Sequence, residues 1–136
     1  RHTGNQEFLE TAIKVADVFL NELEEDGIPM WDFRLPTKQG EPRDTSAAAI
    51  AATGLLEIAN HVTGSEKERY TSEAQRILKS LYENYTSQNN PEHQGLLLQA
   101  CGNKPKGIDE NCSLIYRDFY FAEAIARLSG STGMFW

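Results

Sequence analysis

Two segments of the chain place apolar residues at helical spacing between polar ones. In residues 6–23 the apolar positions are Leu9, Ala12, Ile13, Ala16, Leu20 and Leu23. In residues 65–85 they are Tyr70, Ala74, Ile77, Leu78, Leu81 and Tyr85. A spacing of three and four residues predicts amphipathic helices that each bury one face. Gly27 and Pro29 end the first helix, and the Asn-Asn-Pro sequence at 89–91 ends the other.

The segment between these helices combines a polar loop with a helix of different composition. Residues 28–43 contain three prolines and a glycine, which indicates a loop. Residues 45–60 are rich in alanine, which lets neighbouring backbones approach closely, so we predict a helix buried on several sides. Asp44 or Thr45 can cap its N-terminus. An aromatic and acidic loop that opens onto a buried helix N-terminus favours a pocket for an anionic or hydroxylated ligand.

The last third of the chain has weaker patterning. Residues 95–101 form a short apolar run between turn residues, which indicates an extended segment at a pocket wall. Residues 102–107 indicate a basic turn, and the polar stretch 109–111 leads into a fourth helix at about 113–128. This helix is crowded with aromatic residues, which we expect to lie in the core. No segment predicts a strand-rich domain.

The helical pattern repeats along the chain with an offset of 66 residues. Thr63 and Gly64 follow the alanine-rich helix, and Ser129 and Gly130 follow the fourth helix. The other matches at this offset are Leu55-Leu56-Glu57 with Phe121-Ala122-Glu123, and Asp44 with Glu110. The repeat predicts an all-α fold of stacked helical hairpins, 5–60 and 65–129, with both long loops at one rim of a toroid. We also expect the chain to be one piece of a longer array.

Composition and charge exclude several classes of function. The chain has 136 residues, enough for one domain, and a net charge of −7, which argues against a nucleic-acid partner. No apolar run is long enough to span a bilayer, so we expect no membrane partner. Cys101 and Cys112 lack a CxxC spacing, which favours free thiols over a disulfide. The histidines lack metal-ligand spacing, so we predict no metal site and no cofactor.

Six short motifs resemble one family of enzymes in their order and spacing. They are PMWDF at 29–33, DTSAAAIAA at 44–52, GLLE at 54–57, GLLL at 95–98, NKP at 103–105 and DFYFAEA at 118–124. Together they resemble the C-terminal part of the unsaturated glucuronyl hydrolases, glycoside hydrolase family 88. Rhamnogalacturonyl hydrolases share the Asp-Thr-Ser motif but match the ends of the chain less well. The alternative outside these enzymes is a non-catalytic helical-hairpin module that binds carbohydrate or protein.

The resemblance implies an (α/α)6 barrel of six helical hairpins, of which this chain supplies two. Enzymes of the family remove a 4,5-unsaturated uronic acid from disaccharides left by polysaccharide lyases. An aspartate protonates the vinyl-ether double bond, water adds, and the resulting hemiketal expels the other sugar. The family's catalytic aspartates lie in the N-terminal half, so we expect this chain to hold no catalytic residue and to be inactive alone.

The resemblance also implies partners and a cellular location. The expected partners are the unsaturated uronic-acid disaccharide and either the missing N-terminal hairpins of the same protein or a second copy of the chain. An enzyme that acts after a lyase is expected in the cytoplasm or the periplasm.

Five residues are candidates for substrate binding. In family members that process sulfated disaccharides, a Ser-x-x-Ser-x-Lys pattern binds the sugar or its sulfate, and it aligns with Gln99, Gly102 and Lys104. Only the lysine is retained, while other members have His at position 99, an aromatic residue at 102 and Gly at 117. Lys104 is either a point charge for an anionic sugar group or a solvated turn residue. Trp31 either stacks on a sugar or plugs the rim, and the position of Asp44 favours a helix cap over a ligand.

Overall fold

A computed structural model describes residues 3–131 and contains four α-helices and one two-stranded sheet. The helices are α1 (Gln6–Glu22), α2 (Thr45–Ala59), α3 (Gly64–Tyr85) and α4 (Ile115–Leu128). The strands are β1 (Ala100–Asn103) and β2 (Ile108–Cys112), joined by a turn of 3-10 helix at Lys104–Lys106. All four predicted helices are confirmed, with ends within two residues of the predicted ones. The helical fold class is therefore confirmed, and the small sheet is an addition to it.

Helix α2 occupies the centre of the core, as its alanine content predicts. Three of its alanines are fully buried: Ala48, Ala49 and Ala52. The helix packs mainly against α3 and α4. Its N-terminus is capped by Asp44, whose Oδ1 accepts from the backbone amides of Ser46 at 2.9 Å and Ala47 at 3.4 Å. Asp44, and not Thr45, is the cap, and it satisfies two amides that no helical carbonyl can reach.

One face of α3 and one face of α4 supply the rest of the core. The buried residues of α3 are Tyr70, Ala74, Ile77, Leu78, Ser80, Leu81 and Tyr85, which include every apolar residue predicted for this face. In α4, Phe121 lies in the core, but Tyr116 is 43% exposed. The prediction of a core position is therefore wrong for Tyr116. Tyr116 and Phe121 are five positions apart, so the two side chains point to different sides of the helix.

Two tyrosine hydroxyls of α3 bind carboxylates from other parts of the chain. Tyr70 donates to Asp17 of α1 at 2.9 Å, and Tyr85 donates to Asp26 at 2.8 Å. Burial, together with the hydrogen bond to Asp26, raises the pKa of Tyr85 to about 12. Both hydroxyls therefore stay protonated at neutral pH and connect α3 to α1 and to the residues that follow α1.

Arg127, near the end of α4, joins α4 to α2. Its Nη1 donates to Glu57 Oε2 at 2.7 Å, and its Nη2 donates to Glu123 Oε1 at 3.0 Å. His61 also contacts Glu57, with 3.2 Å between Nε2 and Oε1. Burial alone would raise the pKa of Glu57, but the hydrogen bonds from Arg127 and His61 outweigh burial and hold that pKa below its ordinary value. The ionised form of Glu57 is therefore the one that stabilises this helix contact.

The sheet corrects one sequence prediction and refines two others. Strands β1 and β2 are antiparallel, with Cys101 opposite Glu110. The predicted basic turn, 102–107, forms the tip of this hairpin, and the predicted extended segment, 95–101, includes the start of β1. The stretch 109–111 does not lead directly into α4 but belongs to β2, because its backbone pairs with β1.

Helix α1 leaves an apolar groove beside α2. The helix has no fully buried residue, and Phe8, Val15 and Val18 are each more than half exposed. The groove has a volume of about 790 Å³ and is lined mainly by apolar side chains of the two helices. Within residues 3–131, no helix combines the length and the hydropathy needed to cross a membrane. Exposed apolar surfaces of this kind are typical of sites that contact another protein segment, a membrane or a ligand.

Candidate functional site

The proline-rich loop before α2, the N-terminus of α2 and the start of β1 meet at one end of the helices. The amide of Asp44 donates to Pro29 O at 2.9 Å. The Thr45 hydroxyl donates to Leu98 O at 2.7 Å, and its amide donates to Gln99 O at 3.2 Å. These hydrogen bonds hold both long loops at the N-terminal end of the buried helix.

The loops enclose a polar depression of about 260 Å³. Its lining residues are Gly40, Pro42, Gln99, Lys104, Glu110 and Asn111. Two of the five candidate residues, Gln99 and Lys104, therefore lie together. Gln99 has a φ of 60°, a left-handed backbone conformation that non-glycine residues seldom adopt, so the contacts around it hold its position.

The ammonium group of Lys104 is paired with a carboxylate across the β-hairpin. Lys104 Nζ lies 2.7 Å from Glu110 Oε2, and both side chains are partly exposed. The hydrogen bond to Glu110 is the main reason that the pKa of Lys104 is raised, and the charge of Glu41 adds to this effect. An anionic group that binds Lys104 must therefore share the ammonium with Glu110 or displace it.

Asp44 holds backbone and hydroxyl donors and does not line the depression. Besides the two helix amides, its Oδ1 accepts from Ser46 Oγ at 2.5 Å and from the amide of Cys101 at 3.4 Å. The carboxylate thus joins the N-terminus of α2 to β1. This geometry agrees with a cap, the role that the sequence favours for Asp44.

Trp31 is held in its loop through both its backbone and its indole ring. The amide of Trp31 donates to Pro42 O at 3.2 Å, and Nε1 donates to Glu41 Oε2 at 2.7 Å. Pro42 lines the depression, so one hydrogen bond connects Trp31 to the lining, although Trp31 itself is not part of it. Stacking on a sugar and plugging the rim both stay predictions.

Gly102 lies in β1, outside the lining of the depression, and a side chain has no room there. A Cβ atom built on Gly102 would lie 2.7 Å from the Cβ of Asp109 on the adjacent strand. The aromatic residue that other family members are expected to carry at this position would require the β-hairpin to move. Gly102 therefore shapes the hairpin, and a contact between Gly102 and the substrate stays a prediction.

Four residues that line the depression were not among the sequence candidates: Gly40, Pro42, Glu110 and Asn111. The 66-residue repeat matches Glu110 with Asp44, and no motif pointed to Asn111. Among residues 3–131, no group of His, Cys, Asp and Glu is arranged to hold a metal ion. Cys101 and Cys112 are free thiols, and burial is the main cause that raises the pKa of each. Both thiols are therefore protonated at neutral pH.

Comparison with known proteins identifies the family. No protein-family profile matches the chain. The unsaturated glucuronyl hydrolase of Bacillus sp. (strain GL1) is 35% identical over 138 residues, which take in 100% of this chain and 37% of that enzyme. Its crystal structure has a TM-score of 0.87 and 36% identity, covering 92% of this chain and 34% of its own. The chain belongs to the unsaturated glucuronyl hydrolase family.

Members of the unsaturated glucuronyl hydrolase family with related specificities match the same chain. The unsaturated chondroitin disaccharide hydrolase of Streptococcus agalactiae is 32% identical over 126 residues, 90% of this chain and 31% of that enzyme. A mutant glucuronyl hydrolase of S. agalactiae, complexed with dGlcA-GalNAc6S, has a TM-score of 0.80 and 32% identity, covering 89% of this chain and 33% of its own. The chain spans about a third of the length of these relatives. The resemblance and the (α/α)6 barrel class are thereby confirmed.

Proposed function

We propose that these residues form the C-terminal part of a glycoside hydrolase that removes a 4,5-unsaturated uronic acid from lyase-generated disaccharides by hydrating its vinyl ether. The match along the whole chain to the Bacillus sp. enzyme, at 35% identity and a TM-score of 0.87, carries the proposal. Residues 5–60 and 65–129 are then two hairpins of the barrel. The other hairpins supply the catalytic carboxyl group, so the chain alone is inactive.

We assign the polar depression beside α2 to the disaccharide. Gln99 offers an amide donor and acceptor to sugar hydroxyls, and Lys104 offers a cation, so these two residues contact the ligand directly. Trp31, Asp44 and Gly102 act through the backbone of the two loops that frame the depression. The complex of an S. agalactiae relative with dGlcA-GalNAc6S supports a ligand of this class.

The apolar groove favours part of an enzyme over a free-standing binding module. A self-sufficient helical module is expected to cover its apolar surface, whereas α1 leaves Phe8, Val15 and Val18 more than half exposed. In a complete barrel, another helical hairpin would pack beside α1 and α2 and cover this surface. The helix pair therefore fits a larger assembly better than a monomeric module.

A chimera tests the proposal. The matching third of the Bacillus sp. enzyme is replaced by residues 1–136, and the ultraviolet absorbance of an unsaturated disaccharide is followed with the chimera, the parent enzyme and the isolated chain. Because the hydration destroys the conjugated double bond, we expect the absorbance to fall with the parent and the chimera but not with the isolated chain. A folded chimera that leaves the absorbance unchanged would contradict the proposal.

Variants within the chimera test the assignment of the depression. Lys104→Ala should raise KM for an anionic disaccharide by about two- to fivefold, the effect of losing a partly exposed charge contact. Lys106→Ala is the matched control, because this exposed lysine of the same turn lies outside the lining. Equal KM values for both variants would remove Lys104 from the binding site.

A further inference from the structure

The groove between α1 and α2 has an apolar floor and one charged end. Leu9, Ala12 and Ile50 are among its apolar lining residues, and Glu57 and His61 also line it. His61 lies just beyond the end of α2 and is exposed. A segment that fills this groove therefore meets apolar surface along α2 and a glutamate–histidine pair at the C-terminal end of that helix.

The contact between α4 and α2 shows how two inner helices of this protein recognise each other. Arg127 binds the glutamate four residues earlier on its own helix, Glu123, and also the glutamate of the neighbouring helix, Glu57. The Arg127 side chain is only 10% exposed, so this double ion pair is largely shielded from water. One guanidinium group thus makes an ion pair within α4 and another with the neighbouring helix α2.

The 66-residue repeat places His61 where Arg127 stands. Glu57 matches Glu123, and His61 matches Arg127 at the same offset. The local half of the arrangement is present, because His61 Nε2, just beyond the end of α2, lies 3.2 Å from Glu57 Oε1, four residues earlier. The other half of the arrangement, a carboxylate from a neighbouring inner helix, would have to come from whatever occupies the groove.

Gly54 provides an independent sign that a helix comes close to α2 here. It lies in the middle of α2, it lines the groove, and a Cβ built on it meets no atom within 4 Å in the described residues. Glycine is a poor helix former, so at an exposed position with room for a side chain it lowers the stability of α2 without relieving any clash among the described residues. A small residue is useful where another backbone must pass closely.

From these observations we infer that the groove receives the inner helix of the preceding hairpin of a longer protein, which passes close to Gly54 and presents a carboxylate to His61. The inference rests on the proposed function, since it assigns the neighbour in the same barrel. The occupant is identified by the internal repeat, because α2 itself presents Glu57 to Arg127 in this way. Relatives of about three times the length supply enough chain for such hairpins.

Hydrogen–deuterium exchange in the chimera and in the isolated chain tests the inference. Docking should slow amide exchange in α1 and in the second half of α2 by tenfold or more in the chimera. His61→Ala should speed exchange near the end of α2 about tenfold in the chimera, but only about twofold in the isolated chain, where the change removes one partly exposed pair with Glu57. Asn60→Ala, at an exposed neighbouring position, is the matched control and should change neither.

Gly54→Leu should have opposite effects in the two proteins. In the isolated chain, leucine has open space and a better helix propensity, so exchange in α2 should be unchanged or slower. In the chimera, the side chain obstructs the arriving helix, and exchange in α1 and α2 should rise toward the rate of the isolated chain. The same sign in both proteins would overturn the inference.

The outcomes separate this inference from the proposed function. A chimera that shows the protection and the variant effects but leaves the disaccharide intact would contradict the function and support the groove assignment. An active chimera without protection, or one insensitive to His61→Ala, would overturn the groove assignment. A chimera that fails to fold where the parent folds would also overturn it. An oligomer of the isolated chain that both variants dissociate would show that the groove takes a second copy instead.

Discussion

Replacing Asp118 with alanine should be among the most damaging single changes in this protein. The Asp118 carboxylate accepts from the amides of Leu96 at 2.8 Å and Leu97 at 3.3 Å, and from Arg117 Nε at 2.9 Å. It thereby holds the segment before β1 against α4. The Arg117 side chain has no exposed surface, and Asp118 is the carboxylate that compensates its positive charge.

The size of the loss follows from the burial of Arg117. Removing one partner of a buried ion pair costs about 3–5 kcal/mol, because the other charge is left without compensation. Each lost hydrogen bond to a backbone amide is worth about 1 kcal/mol and is partly contained in that figure. Arg117 Nη1 keeps its bond to Cys112 O, but Nη2 has no hydrogen-bond partner. We therefore expect Asp118→Ala to lower the free energy of unfolding by about 3–5 kcal/mol.

Urea unfolding of the isolated chain, followed by far-ultraviolet circular dichroism, measures this loss. The matched control is Glu83→Ala, which removes an exposed carboxylate 3.9 Å from Lys79 and should cost less than about 0.5 kcal/mol. Adding Arg117→Leu to Asp118→Ala should recover part of the loss, because the uncompensated charge is then removed as well. A cost for Asp118→Ala close to that of the control would refute the reasoning.

Three further predictions concern charges. The pKa of Glu57 is lowered on folding, so its ionised form stabilises the protein above the unfolded pKa of about 4.3, and this contribution is lost as the pH falls further. In urea unfolding, Glu57→Gln should therefore make the free energy of unfolding less dependent on pH in the acid range. The pKa of Tyr85 is raised to about 12, so its protonated hydroxyl stabilises the protein below pH 10, and this contribution is lost as the pH rises from 10 to 12. Tyr85→Phe should therefore make the free energy of unfolding less dependent on pH in this alkaline range. An unchanged slope would contradict either prediction. Glu110→Gln should free the Lys104 ammonium for the ligand. The ratio of the chimera's KM for dGlcA-GalNAc6S to its KM for the unsulfated disaccharide should then fall by about two- to fivefold. An unchanged ratio would show that Glu110 does not compete with the ligand.

The helices were predictable because their determinants are local. The apolar face of α3 follows from the helical spacing of its apolar residues, and each residue predicted for this face is buried in the structure. The start of α2 follows from Asp44, whose short side chain reaches the first free amides. The packing of α2 at the centre of the core follows from alanine, which permits close contact on several sides.

Strand β2 was not predictable from its residues. Its first four residues are exposed, so it has no alternation of buried and exposed positions, and Asp109 and Asn111 have φ values of 56° and 52°. Pairing with β1, and not side-chain pattern, holds these residues in a strand. Because Glu110 and Asn111 line the polar depression, missing this strand also meant missing half of the hairpin that forms the candidate site.

The environment of Arg117 was likewise invisible in the sequence. The family resemblance implies that many members have glycine at this position, but a substitution alone does not say where the side chain goes. The structure buries the guanidinium group between Cys112 O and the Asp118 carboxylate. The partners of Arg117 are the next residue of α4 and a backbone carbonyl at the end of β2, and helical periodicity reports neither contact.

A crystal structure of a catalytically impaired chimera with bound unsaturated disaccharide would test the central claim most directly. We predict that the barrel closes over the groove between α1 and α2 and that the sugar lies within hydrogen-bonding distance of Gln99 or Lys104. A disaccharide bound away from the depression, or a groove left open to solvent, would contradict the assignment of this chain as a substrate-facing part of an unsaturated glucuronyl hydrolase.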